Sequence, residues 1–286
     1  MKKFQGKVAA VTGAASGMGR SLALELAQRG CHLALSDVDE AGLAETAAWI
    51  AARSSARSVG MKVTTARVNV AVREEVFAWA DQVAREHGRV HLVFNNAGVA
   101  LSALAENVRA EDLHWIMEIN FFGVVWGTQA FMPHLKASGE GHVVNTSSLF
   151  GLLSVPGNAA YNASKFAVRG YTEALRMELE LSGAPVSATC VHPGGVRTRI
   201  ARSARIDPQS MALSHISPEE AIERFDRLLN TTSAERAAGQ ILRAVENNRR
   251  RVLVGADAWW MDKLVRLLGS AYQPLILAFA RWLGRP

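Results

Sequence analysis

The sequence alternates short apolar runs with longer segments in which apolar residues recur at intervals of three and four. Short runs rich in β-branched residues are typical of buried strands, whereas those intervals are typical of helices that pack on one face. The runs that predict strands are residues 8–12, 32–36, 62–70, 90–94, 142–146, 186–191 and 251–254. The segments that predict helices are residues 20–29, 41–53, 73–87, 111–136 and 160–181.

Strict alternation of strand and helix predicts parallel strands joined by right-handed crossovers, in a sheet covered on both faces. We therefore predict one α/β domain of the doubly wound Rossmann type, with a mostly parallel seven-stranded sheet and helices on both faces. At 286 residues, of which 49% are apolar, the chain is long enough to bury such a core. Because ligands of this architecture bind beyond the carboxyl ends of the strands, residues that follow each apolar run are the first site candidates.

The alternation stops after residue 191. Residues 192–216 include several Pro, Gly and Arg residues and show no sustained periodicity, so we expect a long loop over the strand ends. Ser217, Pro218 and Glu220 have the order typical of a helix start, with the serine as cap and the proline at the first position. We expect the domain to extend over residues 1–255, with a substrate loop at about 197–217, and residues 256–286 to form a tail.

The net charge of +6 is concentrated at the end of the chain. Residues 249–286 contain seven cations and two anions, a net charge of +5, which leaves +1 for residues 1–248. The nearly neutral body contains no groove-reading motif, which argues against a nucleic-acid partner. The two cysteines, Cys31 and Cys190, lie far apart in apolar segments, so we expect no disulfide framework and a cytoplasmic setting.

The segment between the first predicted strand and helix is rich in glycine. Residues 12–19 read TGAASGMG, and glycines there allow a tight turn and the close approach of a pyrophosphate to free amides at a helix start. An ordinary strand-to-helix turn would also use such glycines. The glycines alone therefore do not distinguish a dinucleotide site from an ordinary turn.

Asp37 follows the second predicted strand, 18 residues after Gly19. An acidic side chain there can accept hydrogen bonds from an adenosine ribose and would repel a 2′-phosphate. Neither Ser16 nor Val38 supplies the positive charge that a phosphate requires, so the sequence favours NAD over NADP. The alternative is that Asp37 is a turn residue or caps the next helix, a role that Asp39 can fill equally well.

Polar residues also follow later strands. Residues 95–98 read NNAG at the end of the fourth strand, although such turns are common in loops. Tyr161 and Lys165 lie one helical turn apart, where a nearby ammonium stabilises a phenolate and lowers the tyrosine pKa. Tyr161 would then serve as an acid or base toward an alcohol oxygen. Ser147 and Ser148, which follow the fifth strand, and Asn120 are candidates to line the same crevice.

Together these motifs resemble the short-chain dehydrogenase/reductase family over roughly residues 4–255. The segments that carry the resemblance are residues 12–19, 95–98, 161–165 (YNASK) and 193–198 (PGGVRT), with Asn120 and Ser148. The resemblance implies that Ser148 binds the substrate oxygen and Tyr161 exchanges the proton. It implies that Lys165 lowers the tyrosine pKa and binds the nicotinamide ribose, and that Asn120 holds a relay water. The family places its serine 13 residues before the tyrosine, so Ser147 is expected to point elsewhere.

The resemblance also implies an NAD site and no metal ion. Many family members have Asp where Asn69 stands, but an amide oxygen can still accept from the adenine amino group. His192 is expected to be a structural histidine, because Tyr161 already fills the acid/base role. The cofactor contacts implied are Gly13, Ser16, Met18, Gly19, Asp37, Asn69, Val70, Asn96, Tyr161, Lys165, Val196 and Thr198.

The residues expected to flank the substrate are those at 99–101, 150–153, 155–158, 195 and 200–216, and most of them are apolar. We therefore expect an NAD-dependent alcohol dehydrogenase or ketone reductase for a hydrophobic secondary alcohol or ketone. Alternatives are an acidic or carrier-bound 3-oxoacyl substrate recognised by Arg202 or Arg205, epimerase or lyase chemistry, and a regulatory or membrane-associated protein on a dinucleotide-binding scaffold.

The tail departs from the usual ending of the family. One helical stripe contains the apolar residues Trp260, Met261, Leu264, Val265 and Leu268, and another contains Asp262, Lys263 and Arg266. The tail either covers the substrate pocket, contacts a second subunit in a homodimer or homotetramer, or lies on a membrane surface, since basic amphipathic helices with Trp bind interfaces. In the last case the cytoplasmic protein would be peripheral to the membrane.

Overall fold

Seven parallel strands form the central sheet of the computed structural model, which describes residues 3–53, 60–198, 200, 203–207, 223 and 231–283, without the side chains of 282 and 283. The strands of this sheet are β1 (Val8–Thr12), β2 (His32–Asp37), β3 (Val63–Arg67), β4 (Leu92–Asn95), β6 (Gly141–Thr146), β7 (Val186–Pro193) and β9 (Arg251–Val254). Their order across the sheet is β3-β2-β1-β4-β6-β7-β9. A small second sheet pairs β5 (Leu101–Ser102) with β8 (Arg205–Ile206), also in parallel.

Helices cover both faces of the sheet. They are α1 (Gly17–Gln28), α2 (Glu40–Ala52), α3 (Arg73–His87), α4 (Ala110–Met117), α5 (Gly123–Ala137), α6 (Ala159–Leu181), α7 (Ala234–Glu246), α8 (Ala256–Leu268) and α9 (Tyr272–Leu283). A π-helical turn, Glu118–Phe122, joins α4 to α5, and 3₁₀ turns lie at Leu149–Gly151 and Gly269–Ala271. The doubly wound fold predicted from the sequence is confirmed.

Each central strand is buried on both faces, which explains why its sequence is continuously apolar. In β1, Ala9 and Val11 pack in the core that includes Leu22 of α1, whereas Val8 and Ala10 pack in the core that includes Phe131 of α5. The two hydrophobic layers thus follow the strand period of two.

The order of the strands reverses between β1 and β4. The chain first builds outward from β1 to β3, and then returns to build outward from β4 in the opposite direction. Connections therefore leave the carboxyl ends of β1 and β4 toward opposite sides and open a crevice between them. This crevice is where the functional side chains predicted from the sequence meet.

Several elements differ from the sequence prediction. The strand predicted at 62–70 ends at Arg67, because the side chain of Asn69 accepts the backbone N–H of Ala71 and starts a turn. The loop predicted from residue 192 instead begins after Pro193 and contains β8. The helix predicted at 111–136 is interrupted by the π-helical turn. The helix start predicted at 217–220 lies outside the described residues.

Candidate active site

The glycine-rich turn after β1 is shaped by close contact with the loop after β4. Gly13 and Gly17 have positive φ angles of 68° and 53°, which side-chain-bearing residues rarely adopt. A Cβ atom on Gly13 would also lie 2.8 Å from Cα of Ala97. At Gly19 a Cβ atom would overlap the carbonyl oxygen of Gly13. The glycines therefore bring the start of α1 against the carboxyl end of β4.

A cavity of about 260 Å³ lies in the crevice between β1 and β4. It is lined by eight of the residues that the sequence assigned to cofactor contacts: Gly13, Ser16, Met18, Asp37, Asn69, Val70, Asn96 and Thr198. Gly19 lines neither this cavity nor the second cavity described below, and its role is to permit the tight turn. Most of the predicted dinucleotide contacts are thus brought together in one place.

Asp37 lies at one end of this cavity. Its carboxylate accepts the backbone N–H groups of Ala15, Val38 and Asp39, at 3.0, 2.8 and 3.2 Å. The neighbouring Asp39 caps α2 by accepting the N–H of Gly42 at 2.9 Å. The alternative helix-capping role considered for Asp37 is therefore performed by Asp39. Among the described residues that line the cavity there is no Lys or Arg.

Asn95 and Asn96 have different tasks at the end of β4. Asn95 is buried and donates through Nδ2 to Oδ1 of Asn145 on β6 at 2.8 Å, which ties the two strands together. Asn96 donates through Nδ2 to the carbonyl oxygen of Thr12 at 3.1 Å. The Oδ1 atom of Asn96 is buried without a hydrogen-bond partner among the described residues, in a side chain that lines the cavity.

A second cavity, of about 270 Å³, adjoins the first and contains Ser148, Tyr161 and Lys165. Ser148 follows β6, and the other two residues lie in the first turns of α6. The Tyr161 hydroxyl and the Ser148 side chain are hydrogen-bonded to each other. The residues common to both cavities are Met18, Asn96, Gly98, Thr198 and Ile200. The two cavities therefore form one crevice, and Val196, the remaining predicted cofactor contact, lines its second part.

Lys165 is almost completely buried beneath the tyrosine. Its Nζ lies 5.7 Å from the centre of the Tyr161 ring and donates to the carbonyl oxygen of Thr146 at 3.2 Å. Burial lowers the pKa of Lys165 to about 8. A Cβ atom on Gly98 would lie 3.3 Å from Nζ, so the glycine leaves the space beside the ammonium open.

The pKa of Tyr161 differs from the sequence expectation. Burial raises the pKa of the phenol above its ordinary value, and the hydrogen bond with Ser148 opposes this rise without overcoming it. The expectation of a lowered pKa was wrong for the protein by itself, because removal of the phenolate from water outweighs favourable contacts. Tyr161 is consequently protonated at neutral pH.

Asn120 lies behind the crevice and not on its wall. Its side chain is fully buried, accepts the N–H of Val99 at 2.8 Å and donates to the carbonyl oxygen of Val99 at 2.9 Å and to Oγ of Ser164 at 3.2 Å. It sits in the π-helical turn between α4 and α5. Such turns are rare and often occur at functional sites. Asn120 thus joins three segments that surround Lys165.

Two further residues have the structural roles that the sequence suggested. Ser147 is buried and donates to the backbone carbonyl of Lys165 at 2.7 Å. His192 is fully buried, its Nδ1 lies 2.9 Å from the carbonyl oxygen of Ser148, and burial lowers its pKa to about 4. The histidine is therefore neutral at neutral pH and fixes the backbone of Ser148.

Asp257 is a site residue that sequence reasoning missed. It lies in the first turn of α8 and lines the second cavity. Its carboxylate accepts the N–H of Gly195, and its other oxygen is buried without a partner among the described residues. A Cβ atom on Gly194 would overlap this carboxylate. The only signal in the sequence was the pair of glycines at 194 and 195. The first of them leaves room for the carboxylate of Asp257, which lies 62 positions after Gly195.

The chain is similar to known oxidoreductases along nearly its whole length. The profile of the family described as short chain dehydrogenase matches residues 7–209. SadH of Mycobacterium tuberculosis, named as an oxidoreductase, is 48% identical over 282 residues, covering 97% of this chain and 96% of that protein. Human estradiol 17-beta-dehydrogenase 11 is 33% identical over 227 residues, covering 78% of this chain and 72% of that protein.

Solved structures are similar as well. A short chain dehydrogenase/reductase from Burkholderia phymatum in complex with NAD has a TM-score of 0.83 and 33% identity, covering 94% of this chain and 95% of that one. An alcohol dehydrogenase from Thermococcus sibiricus complexed with 5-hydroxy-NADP has a TM-score of 0.67 and 25% identity, covering 87% of this chain and 96% of that one. The similar structures thus include complexes with both kinds of nicotinamide dinucleotide.

The contact between Asp257 and Gly195 leads to a first prediction. Asp257→Ala should lower the free energy of unfolding by about 1.5–3 kcal/mol, the usual contribution of a hydrogen bond to a charged group. Asp257→Asn is the matched control, because it keeps an acceptor oxygen for the Gly195 N–H and should lose less. Urea unfolding measures both variants. An alanine variant as stable as the unchanged protein would show that α8 does not hold the loop after β7.

Proposed function

Because this chain belongs to the short-chain dehydrogenase family of oxidoreductases, we propose that it transfers a hydride between NAD(H) and a hydrophobic secondary alcohol or ketone. The proposal depends on one observation above all. Ser148, Tyr161 and Lys165 line a single cavity that continues into the crevice containing Asp37. A tyrosine suited to proton transfer thus adjoins a crevice lined by residues that can hold a dinucleotide.

The residues of the crevice fit such a cofactor. The glycine-rich turn offers backbone amides at the start of α1, where the helix dipole favours a pyrophosphate. Asp37 and the unpartnered Oδ1 of Asn96 supply acceptors at two points of the crevice. When bound, the nicotinamide supplies the hydride donor or acceptor.

The protein's own residues handle the substrate oxygen. In reduction, Ser148 donates a hydrogen bond to the carbonyl oxygen, and Tyr161 gives its phenolic proton to that oxygen as the hydride reaches the carbon. In oxidation, the phenolate takes the hydroxyl proton as the hydride leaves. The Lys165 ammonium, 5.7 Å from the ring centre, favours the phenolate as it forms.

The pKa of Tyr161 suits ketone reduction better than alcohol oxidation at neutral pH. The raised pKa of Tyr161 keeps the phenol protonated at neutral pH, which makes it ready to act as an acid toward a ketone. Alcohol oxidation needs the phenolate, so it is favoured by higher pH. Lys165, with a pKa of about 8, retains its positive charge at neutral pH.

The walls of the second cavity favour an apolar substrate. The apolar side chains that line it beyond the reacting residues are Met18, Ala100, Leu101, Leu149, Phe150, Pro193, Val196, Ile200, Ala204 and Ile206. Arg205, a candidate for an acidic substrate, stacks 3.7 Å from the centre of the Trp115 ring and pairs with Asp112 at 2.9 Å. Arg205 lines neither cavity, which argues against a carboxylate or carrier-bound substrate. Arg202 lies outside the described residues.

The role of Tyr161 generates a second prediction. Tyr161→Phe should reduce kcat by ~10²–10⁴, the usual contribution of general acid/base catalysis, and should leave NADH binding unchanged. Turnover is measured by nicotinamide absorbance with a panel of hydrophobic secondary alcohols and ketones, and binding by NADH fluorescence. Tyr171→Phe on the same helix is the control, because its ring packs against Phe121, away from the cavity. Undiminished turnover of the Tyr161 variant would refute the proposal.

Cofactor choice is tested separately at Asp37. Asp37→Asn should lower the preference for NAD over NADP, expressed as the ratio of kcat/KM values, by about tenfold, or ~1.4 kcal/mol, because it removes repulsion of the 2′-phosphate. Asp39→Asn is the control. It removes the same charge from the residue that caps α2, two positions after Asp37, and should leave the ratio unchanged. If the unchanged protein prefers NADP, the role proposed for Asp37 is wrong.

A further inference from the structure

The helices of the tail expose an unusual amount of apolar surface. Trp260 and Leu267 on α8 are 67% and 84% exposed. On α9, Tyr272 alone is buried among the described side chains. Large apolar side chains that are exposed on these two helices form what we name the tail surface: Trp259, Trp260, Leu267, Leu275, Leu277 and Phe279. A helix with apolar residues on all sides, as in α9, is normally covered by something.

The exposed charges of the tail are positive. Its two acids are used inside the protein, since Asp257 accepts the N–H of Gly195 and Asp262 is buried between Arg251 and Arg266. Lys263, Arg266 and Arg281 are exposed beside the tail surface. Lys263 lies 5.7 Å from the centre of the Trp259 ring. Apolar side chains with tryptophan are thus combined with cations.

We propose that the tail surface binds an anionic membrane surface, with α8 and α9 lying in the plane of the interface. Interfacial helices of this kind combine an apolar face containing Trp with basic residues that attract anionic lipids. The exposed Lys263, Arg266 and Arg281 supply the positive charge of such a surface. A second copy of the chain is a poorer occupant, because a two-fold dimer would place this positive charge against itself.

The helices are suited to lie on a bilayer and not to cross it. A helix of 12 residues, the length of α9, is about 18 Å long, against a hydrocarbon core of ~30 Å. Within the part of the chain that the structure describes, no helix has the length and apolar character to span a membrane. Peripheral binding is therefore the form of association that fits.

The first turns of α8 and α9 lie beside the substrate cavity. Asp257 at the start of α8 lines that cavity, and the Tyr272 hydroxyl at the start of α9 accepts the N–H of Ser154 at 3.0 Å, close to the cavity residue Phe150. Membrane binding through α8 and α9 would hold the mouth of an apolar cavity near lipid. Hydrophobic substrates concentrated in the bilayer would then have a short path to Tyr161.

The test is vesicle flotation of the full chain. The protein should float with vesicles of phosphatidylcholine and phosphatidylglycerol, and much less with phosphatidylcholine alone. Raising the salt concentration should weaken the binding, because the attraction between exposed charges is screened. Absence of binding to the anionic vesicles at low salt would overturn the proposal.

Matched variants locate the binding surface. Leu267→Glu and Lys263→Glu should each reduce partitioning onto the anionic vesicles by about fivefold or more. The controls are Leu181→Glu, at an 88% exposed leucine of α6, and Lys136→Glu on α5, neither of which should change it. Equal effects of tail and control variants would overturn the proposal. The proposal would also be overturned if a tail variant converted a dimer to a monomer in light scattering while neither it nor the unchanged protein bound vesicles.

Discussion

The hydroxyl of Thr12 holds together the two strand ends on which the candidate site depends. It donates to the carbonyl oxygen of Phe94 at 3.3 Å and accepts the N–H groups of Asn96 and Ala97, each at 3.0 Å. One donor and two acceptors are the full capacity of a hydroxyl. Because the strand order reverses between β1 and β4, the chain leaves the carboxyl ends of these two strands toward opposite sides, and this local bridge keeps the two ends together across the crevice.

A network of buried hydrogen bonds links the strands of the sheet to the helix that contains the reacting residues. Asn95 on β4 donates to Asn145 on β6, which in turn donates to Thr172 on α6 at 3.0 Å. Ser147 ties the end of β6 to the backbone of Lys165. Paired polar groups of this kind are strong in a low-dielectric interior and costly to break. The network therefore fixes Tyr161 and Lys165 relative to Ser148 by contacts that take no part in the chemistry.

Most of the sheet could be predicted from the sequence, because apolar periodicity reports burial directly. The placement of Asp37 in the crevice was also within reach, although only the structure shows that Asp39 and not Asp37 caps α2. Contacts between distant segments could not be predicted from the sequence. The carboxylate of Asp257 meets Gly195 across 62 positions, and no local pattern records that approach. The π-helical turn at Asn120 was missed because its residues are also compatible with a regular helix.

The central claim is that the chain moves a hydride directly between a substrate carbon and a nicotinamide. It is tested most directly with a hydrophobic secondary alcohol that carries deuterium on its carbinol carbon and with NAD as the acceptor. Mass spectrometry of the reduced cofactor should find the deuterium of the alcohol in the nicotinamide. Reduced cofactor without deuterium would contradict the account, as would a protein that binds NAD yet reduces none of it with any alcohol of the panel.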